Sequence, residues 1–181
     1  MDLRIQRTKK SIINAFIELR ASKPLEKITV KELSDLAFIN KATFYTHYKD
    51  IYDLSEQLEN EAINTVLKDI PHPEYLITNP KQGIIELISA ISRQGSLFDT
   101  LFSGSRQSIL IERIEYNLKG HIYSTYPEYK IDLKKDILLS VLIQGNFHAF
   151  ISHTKENFNE VIDIIGDISE CLIQNYDRHT V

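Results

Sequence analysis

Residues 28–54 read ITVKELSDLAFINKATFYTHYKDIYDL, and three helix starts are written into them. Thr29 followed by Glu32 is a capping box, in which a hydroxyl and a carboxylate take up free N–H groups at a helix start. Val30, Leu33 and Ala37 then share one face of a short helix. The residues FIN (38–40) break that pattern, and Asn40 suits the N-cap of a second short helix, Lys41–Tyr48. Asp50 caps a third, in which Ile51, Leu54, Leu58, Ala62 and Val66 recur at helical spacing as far as about Asp69. Inside this stretch, KATFYTHYKD (41–50) packs three aromatics, one His, two Lys and two Thr into ten residues. Such a mixture is too polar for a core helix and too aromatic for an ordinary solvated face.

Upstream, Ile12, Phe16 and Leu19 with Ile13 form an apolar stripe from about Leu3 to Ala21. SKPLEK (22–27) reads as a linker, with Pro24 ending the helix before it. Charge is unevenly divided. Residues 1–50 hold ten Lys and Arg against six Asp and Glu, a net of +4, while the 181-residue chain as a whole is −4. A basic head on an acidic body suits a head that meets a polyanion.

Two short helices joined by a tight turn on a basic head describe a helix-turn-helix. Lys41 and Thr43, at the start of the second helix, reach base edges or phosphates. Ala42 is small enough for the helix to sit deep, and its methyl suits a thymine methyl. Phe44 is the core anchor. Tyr45, Thr46, His47 and Lys49 donate to phosphates, and Tyr48 reads either as core or as a further phosphate contact.

With these residues in place, 28–54 and the preceding helix ending in AFIEL resemble the tetracycline-repressor family of bacterial regulators, over roughly residues 5–55. TFYTHYKD is close to that family's most characteristic stretch. The resemblance implies a three-helix DNA-binding head, a connecting helix, and a helical body that binds an effector and dimerises through its last two helices. It implies a phosphate contact at Thr29, base contacts at Lys41, Ala42 and Thr43, and backbone contacts at Tyr45, His47 and Lys49. The chain departs from the family pattern at Phe38, where the turn usually has Gly, and at Ile51, where many members have Lys.

Beyond the head, PHPEYLITNP (71–80) is a Pro-bounded connection. Helical segments follow near 81–93, 95–103 and 106–125, then a break at Pro127. Two long helices close the chain, about 132–154 and 158–176, the second capped by Asn157 with Glu160. The expected fold is all-α, with a DNA-binding domain over 1–50 and a ligand-binding and dimerisation domain over 51–181. On the last two helices, Ile137, Val141 and Gly145 share a face, and Phe158, Ile162, Ile165, Ile168 and Leu172 form a stripe. Both suit a homodimer reading a palindromic operator in double-stranded DNA.

Catalytic motifs are missing: there is no GxSxG, P-loop, HExxH or CxxC. His148 and His153 are too far apart around a helix to chelate a metal. No catalytic residue, metal or cofactor is therefore expected. Phe98, Phe102, Tyr116, Tyr123 and Phe147, with the polar His121, Gln144 and His148, are the expected lining of a pocket for a small apolar effector. The uncharged run 137–154 is interrupted by Gln, Asn and His and reads as a buried helix, not a membrane span. The single Cys171 and an N-terminus without an apolar signal core fit a cytoplasmic protein. The expected function is a transcriptional regulator, a repressor released by its effector. The alternatives are a regulator governed by a partner protein and a helical enzyme with a DNA-binding-like head.

Overall fold

A computed structural model describes residues 3–153 and 155–178, apart from the side chains of Ser105, Asp177 and Arg178. Every regular element among them is helical. The chain divides into two compact units, Met1–Ala62 with Gly95–Gln107, and Ile63–Gln94 with Ser108–Val181. The division differs from the expected boundary at residue 50. It falls inside a helix, and a later segment returns to the first unit.

The first unit is built on α1 (Leu3–Ser22), which buries Ile12, Ala15, Phe16 and Leu19, the stripe expected from the sequence. The expected linker instead closes into a turn of 3₁₀ helix, Leu25–Lys27, and buries Leu25. Helices α2 (Val30–Leu36) and α3 (Lys41–Tyr45) follow, then α4 (Ile51–Lys68). Ile51 is buried at the start of α4. It is a core residue there, which explains an apolar side chain where the family pattern has Lys.

Helix α7 (Gly95–Leu101) completes this unit, and two polar clamps hold its part of the chain there. The Arg20 guanidinium, at the buried end of α1, donates to Lys23 O (3.1 Å), Thr100 O (3.2 Å) and Ser103 Oγ (2.9 Å). Burial pulls its pKa below the ordinary arginine value. Glu59, with no exposed side-chain surface, accepts from Arg106 Nε at 2.9 Å and from Ser55 Oγ at 2.7 Å. Phe98 and Phe102 pack ring to ring in the same unit, 4.7 Å between centroids.

The second unit contains α5 (Tyr75–Thr78), α6 (Pro80–Ser92), α8 (Gln107–Thr125, from Ser108 onward), α9 (Glu128–Ile131), α10 (Leu133–Ser140), α11 (Asn146–Ser152) and α12 (Phe158–Arg178). The Pro-bounded connection thus holds a short helix that sequence did not show. The cause of its position is visible at Gly83: a Cβ there would stand 2.7 Å from Leu76 N, so only glycine lets α5 lie on α6. Ile84 and Ile88 of α6 meet Val161, Ile162 and Ile165 of α12 in one apolar cluster. Asn157 Oδ1 accepts from Glu160 N at 3.2 Å, which is the expected cap.

The segment expected as one helix from 132 is interrupted. Val141–Gly145 is a π-helical turn between α10 and α11, and Thr154, the expected end, lies outside the described residues. Beside this turn sits a polar cluster. Lys119 Nζ contacts Asp136 Oδ1 at 2.5 Å, Ser140 Oγ at 2.6 Å and Glu115 Oε1 at 3.2 Å. Tyr123 donates its hydroxyl to Asp136, and Gln144 its amide to Glu115. Hydrogen bonds from Lys119 and then Tyr123 hold the Asp136 carboxyl below its usual range. Burial works against the Lys119 ammonium, but Asp136 and Glu115 outweigh it and raise its pKa.

A carboxyl with a depressed folded pKa stabilises fully above its unfolded value and loses that contribution as pH falls through the folded one. Asp136→Asn is therefore expected to lower the melting temperature at neutral pH. The gap to the parent protein should close as pH falls below about 4, near the unfolded pKa of aspartate. Melting curves across pH check this. A gap independent of pH would mean that Asp136 acts by shape alone.

Candidate nucleic-acid interface

The candidate surface runs from the start of α2 through the residue after Tyr48, and each part is fixed by local chemistry. The Thr29 hydroxyl accepts from Glu32 N at 3.2 Å and caps α2. The Glu32 carboxylate, which a capping box would turn back toward Thr29, is held by Lys23 Nζ instead. The Thr29 hydroxyl proton stays available on an exposed residue.

The turn after α2 is a Schellman motif. Phe38 N donates to Asp35 O (3.3 Å) and Ile39 N to Ser34 O (3.0 Å), satisfying carbonyls that the helix end leaves free. This motif needs a left-handed residue at its turning point. Phe38 has φ +55°, alone in this among the described non-glycine residues, and its ring is 94% exposed. Left-handed backbone costs an L-residue with a Cβ roughly 1–2 kcal/mol. The departure from glycine noted in the sequence is thus a strained, solvent-facing phenylalanine.

Asn40 then caps α3, accepting from Thr43 N at 2.7 Å and from Thr43 Oγ1 at 3.0 Å. Thr43 is oriented by the cap: its hydroxyl proton is used, while its methyl and oxygen lone pairs are left for a neighbour. Helix α3 ends at Tyr45, three residues before the expected Tyr48. There Thr46 Oγ1 donates to Thr43 O at 2.7 Å, and Lys49 N is drawn to Asp53 Oδ2 at 2.8 Å. Asp50 Oδ1 accepts from Asp53 N at 2.8 Å and caps α4, as its position in sequence suggested. The hydrogen bonds from Lys49 N and Gln57 hold the Asp53 carboxyl below its usual range.

Phe44 is fully buried and anchors α3. Tyr48, read in sequence as a possible phosphate contact, is only 5% exposed and lies against Phe44, 5.8 Å between centroids. It belongs to the core, and burial raises its pKa. Lys41, Ala42, Tyr45 and Lys49 are exposed, and Thr43 and His47 half-exposed. Thr46 is exposed too, so seven of the eight residues expected to touch DNA between 41 and 49 lie open or partly open on one short segment, with Thr29 exposed at the start of α2. Asn40 is the cap that the sequence suggests, and what sequence reasoning did not show is that it also orients the Thr43 hydroxyl and that Phe38 stands fully out in solvent. The signal for Phe38 was its place where the family pattern has Gly.

The residues expected to line an effector pocket are divided between the two units. Phe98 and Phe102 belong to the first unit. Tyr116 is 80% exposed, and His121, Gln144 and His148 are exposed as well. Tyr123 is engaged with Asp136, and Phe147 is buried. Among the described residues of the second unit are open apolar grooves. One, of 410 Å³, lies among Ile137, Leu138, Val141 and Leu172; another, of 460 Å³, among Ala149, Val161, Ile164, Ile165 and Ile168. Helix α12 is apolar on two sides. Val161, Ile162 and Ile165 are buried, while Ile164, Ile168 and Leu172, each four residues on from the last, are exposed.

Among the described residues no cluster of His, Cys, Asp and Glu could hold a metal ion, and no helix is long and apolar enough to cross a membrane. No protein-family model, curated protein or solved structure matches the chain.

Proposed function

We propose that this chain is a sequence-specific, double-stranded-DNA-binding transcriptional regulator of tetracycline-repressor type, with α2 and α3 as its helix-turn-helix. One observation carries the reading: a five-residue helix, anchored by Phe44 and capped by Asn40, that turns Lys41, Ala42, Thr43 and Tyr45 outward, with Lys49 just beyond it. Cations, hydroxyls and small methyls at a helix start are the groups that meet phosphates and base edges together. The net +4 of residues 1–50 draws the same surface toward a polyanion.

The exposed apolar residues of α10 and α12 support a homodimer, which would set two copies of α3 against the half-sites of a palindromic operator. Repression from a cytoplasmic location belongs to the same proposal. An apolar effector would enter a groove beside α12, where Val161, Ile164, Ile165 and Ile168 line an open apolar hollow. The partner-protein alternative draws on the same exposed face.

Selection from random duplexes with the purified protein should enrich a palindrome. On that DNA, Lys49→Ala should weaken binding to all sequences alike and reduce the salt slope by about one unit. Thr43→Ala should relax preference at one position by roughly 1–3 kcal/mol. Failure to enrich any sequence would remove the proposal, and an unchanged slope would remove Lys49 from the phosphate contacts.

A further inference from the structure

We propose that Phe38 is a DNA-contact residue, its ring making an apolar contact with a thymine methyl beside the base positions read by α3. This rests on the DNA-binding reading above. The fold gains nothing visible from the side chain. The Schellman turn asks for a left-handed residue, which glycine provides without strain and asparagine with little. Phenylalanine there is strained at φ +55° and leaves its ring 94% exposed. A backbone outlier that the fold does not need points to a function.

Position argues for DNA as the occupant. Phe38 stands two residues before the cap Asn40 and three before Lys41, so it travels with the segment proposed to enter the groove. Ala42, four residues on, is exposed as well, and the charged residues nearest in sequence are Asp35 on one side and Lys41 on the other. An exposed ring just ahead of a helix that opens on Lys41 suits a surface that is anionic on its edges and carries methyl groups within. In the major groove those methyls belong to thymine, and apolar side chains recognise them.

The test uses the full chain and the duplex it selects. Phe38→Gly and Phe38→Asn both relieve the strain; the second does so without adding a flexible glycine. Each is expected to melt a few degrees above the parent protein yet to bind the selected duplex about fourfold more weakly, the factor that one buried methyl or methylene contributes. Replacing thymines by uracils one at a time removes single methyls from the DNA. One such replacement should weaken binding by the parent about fourfold and leave binding by both variants unchanged.

Variants that bind as tightly as the parent, or that respond to every uracil as the parent does, would overturn the proposal while leaving the DNA-binding reading intact. A partner protein would then be the candidate occupant of the ring. A parent protein that enriches no DNA would overturn both.

Discussion

Arg106→Ala is expected to destabilise the first unit by about 3–5 kcal/mol, the usual result of removing one member of a buried ion pair. The Glu59 side chain has no exposed surface and faces the guanidinium directly. Taking the cation away leaves a fully buried carboxylate without the Arg106 guanidinium, with the Ser55 hydroxyl still donating to it. The penalty is therefore that of the stranded charge, not of the lost bond alone. Replacing both partners by apolar residues of similar volume, Glu59→Leu with Arg106→Met, should recover most of the loss, because well-packed hydrophobic pairs often match buried ion pairs in stability. Thermal and denaturant melts of both single variants and the double variant decide the matter. A loss under 1 kcal/mol for Arg106→Ala would mean that water reaches Glu59 when the guanidinium is gone.

Ile168→Glu is expected to leave the fold intact and to abolish the proposed dimer. The side chain is 55% exposed, near Ile164 and Leu172 on the outer stripe of α12. Exposed positions tolerate substitution within about 0.5 kcal/mol, so the melt of the isolated chain should barely move. A carboxylate buried without a partner at the centre of an apolar interface costs far more. With two heads no longer joined, operator binding should fall by roughly 10²–10⁴-fold, the gain that linkage gives to a second contact. Sedimentation beside a DNA titration reads both effects. A parent protein that is monomeric at micromolar concentration would sink the dimer, and a dimeric variant would move the interface elsewhere.

What the sequence disclosed was local. Thr29, Asn40, Asp50 and Asn157 announce helix starts because a cap is an interaction between residues three apart, visible as a spacing. The stripe of α1 was legible for the same reason. Long-range placement was not. Nothing near residue 100 signals that Arg20 reaches Thr100 and Ser103, so α7 was assigned to the body. The π-helical turn at Val141–Gly145 holds an extra residue per turn and leaves no compositional mark. Aromatic content suggested a pocket, but a ring's type does not fix its direction: Tyr116 faces solvent while Phe147 is buried. Tyr45 and Tyr48 make the same point within three residues, one exposed and one in the core.

The return of Gly95–Gln107 to the first unit has a consequence for how the protein is made. A chain leaving the ribosome presents α1 to α4 first, yet Glu59 and Arg20 then wait for partners still to be synthesised. At about 5–20 residues per second, the 44 residues from Ile63 to Arg106 take roughly 2–9 s to be made. Through that interval the nascent segment lacks the Arg106 guanidinium that meets Glu59 and the buried side chains of α7, which leaves the kind of surface that chaperones hold. A fragment cut after α4 would stay in that state for good, so translation past residue 107, rather than past residue 62, marks the moment at which the N-terminal unit can close.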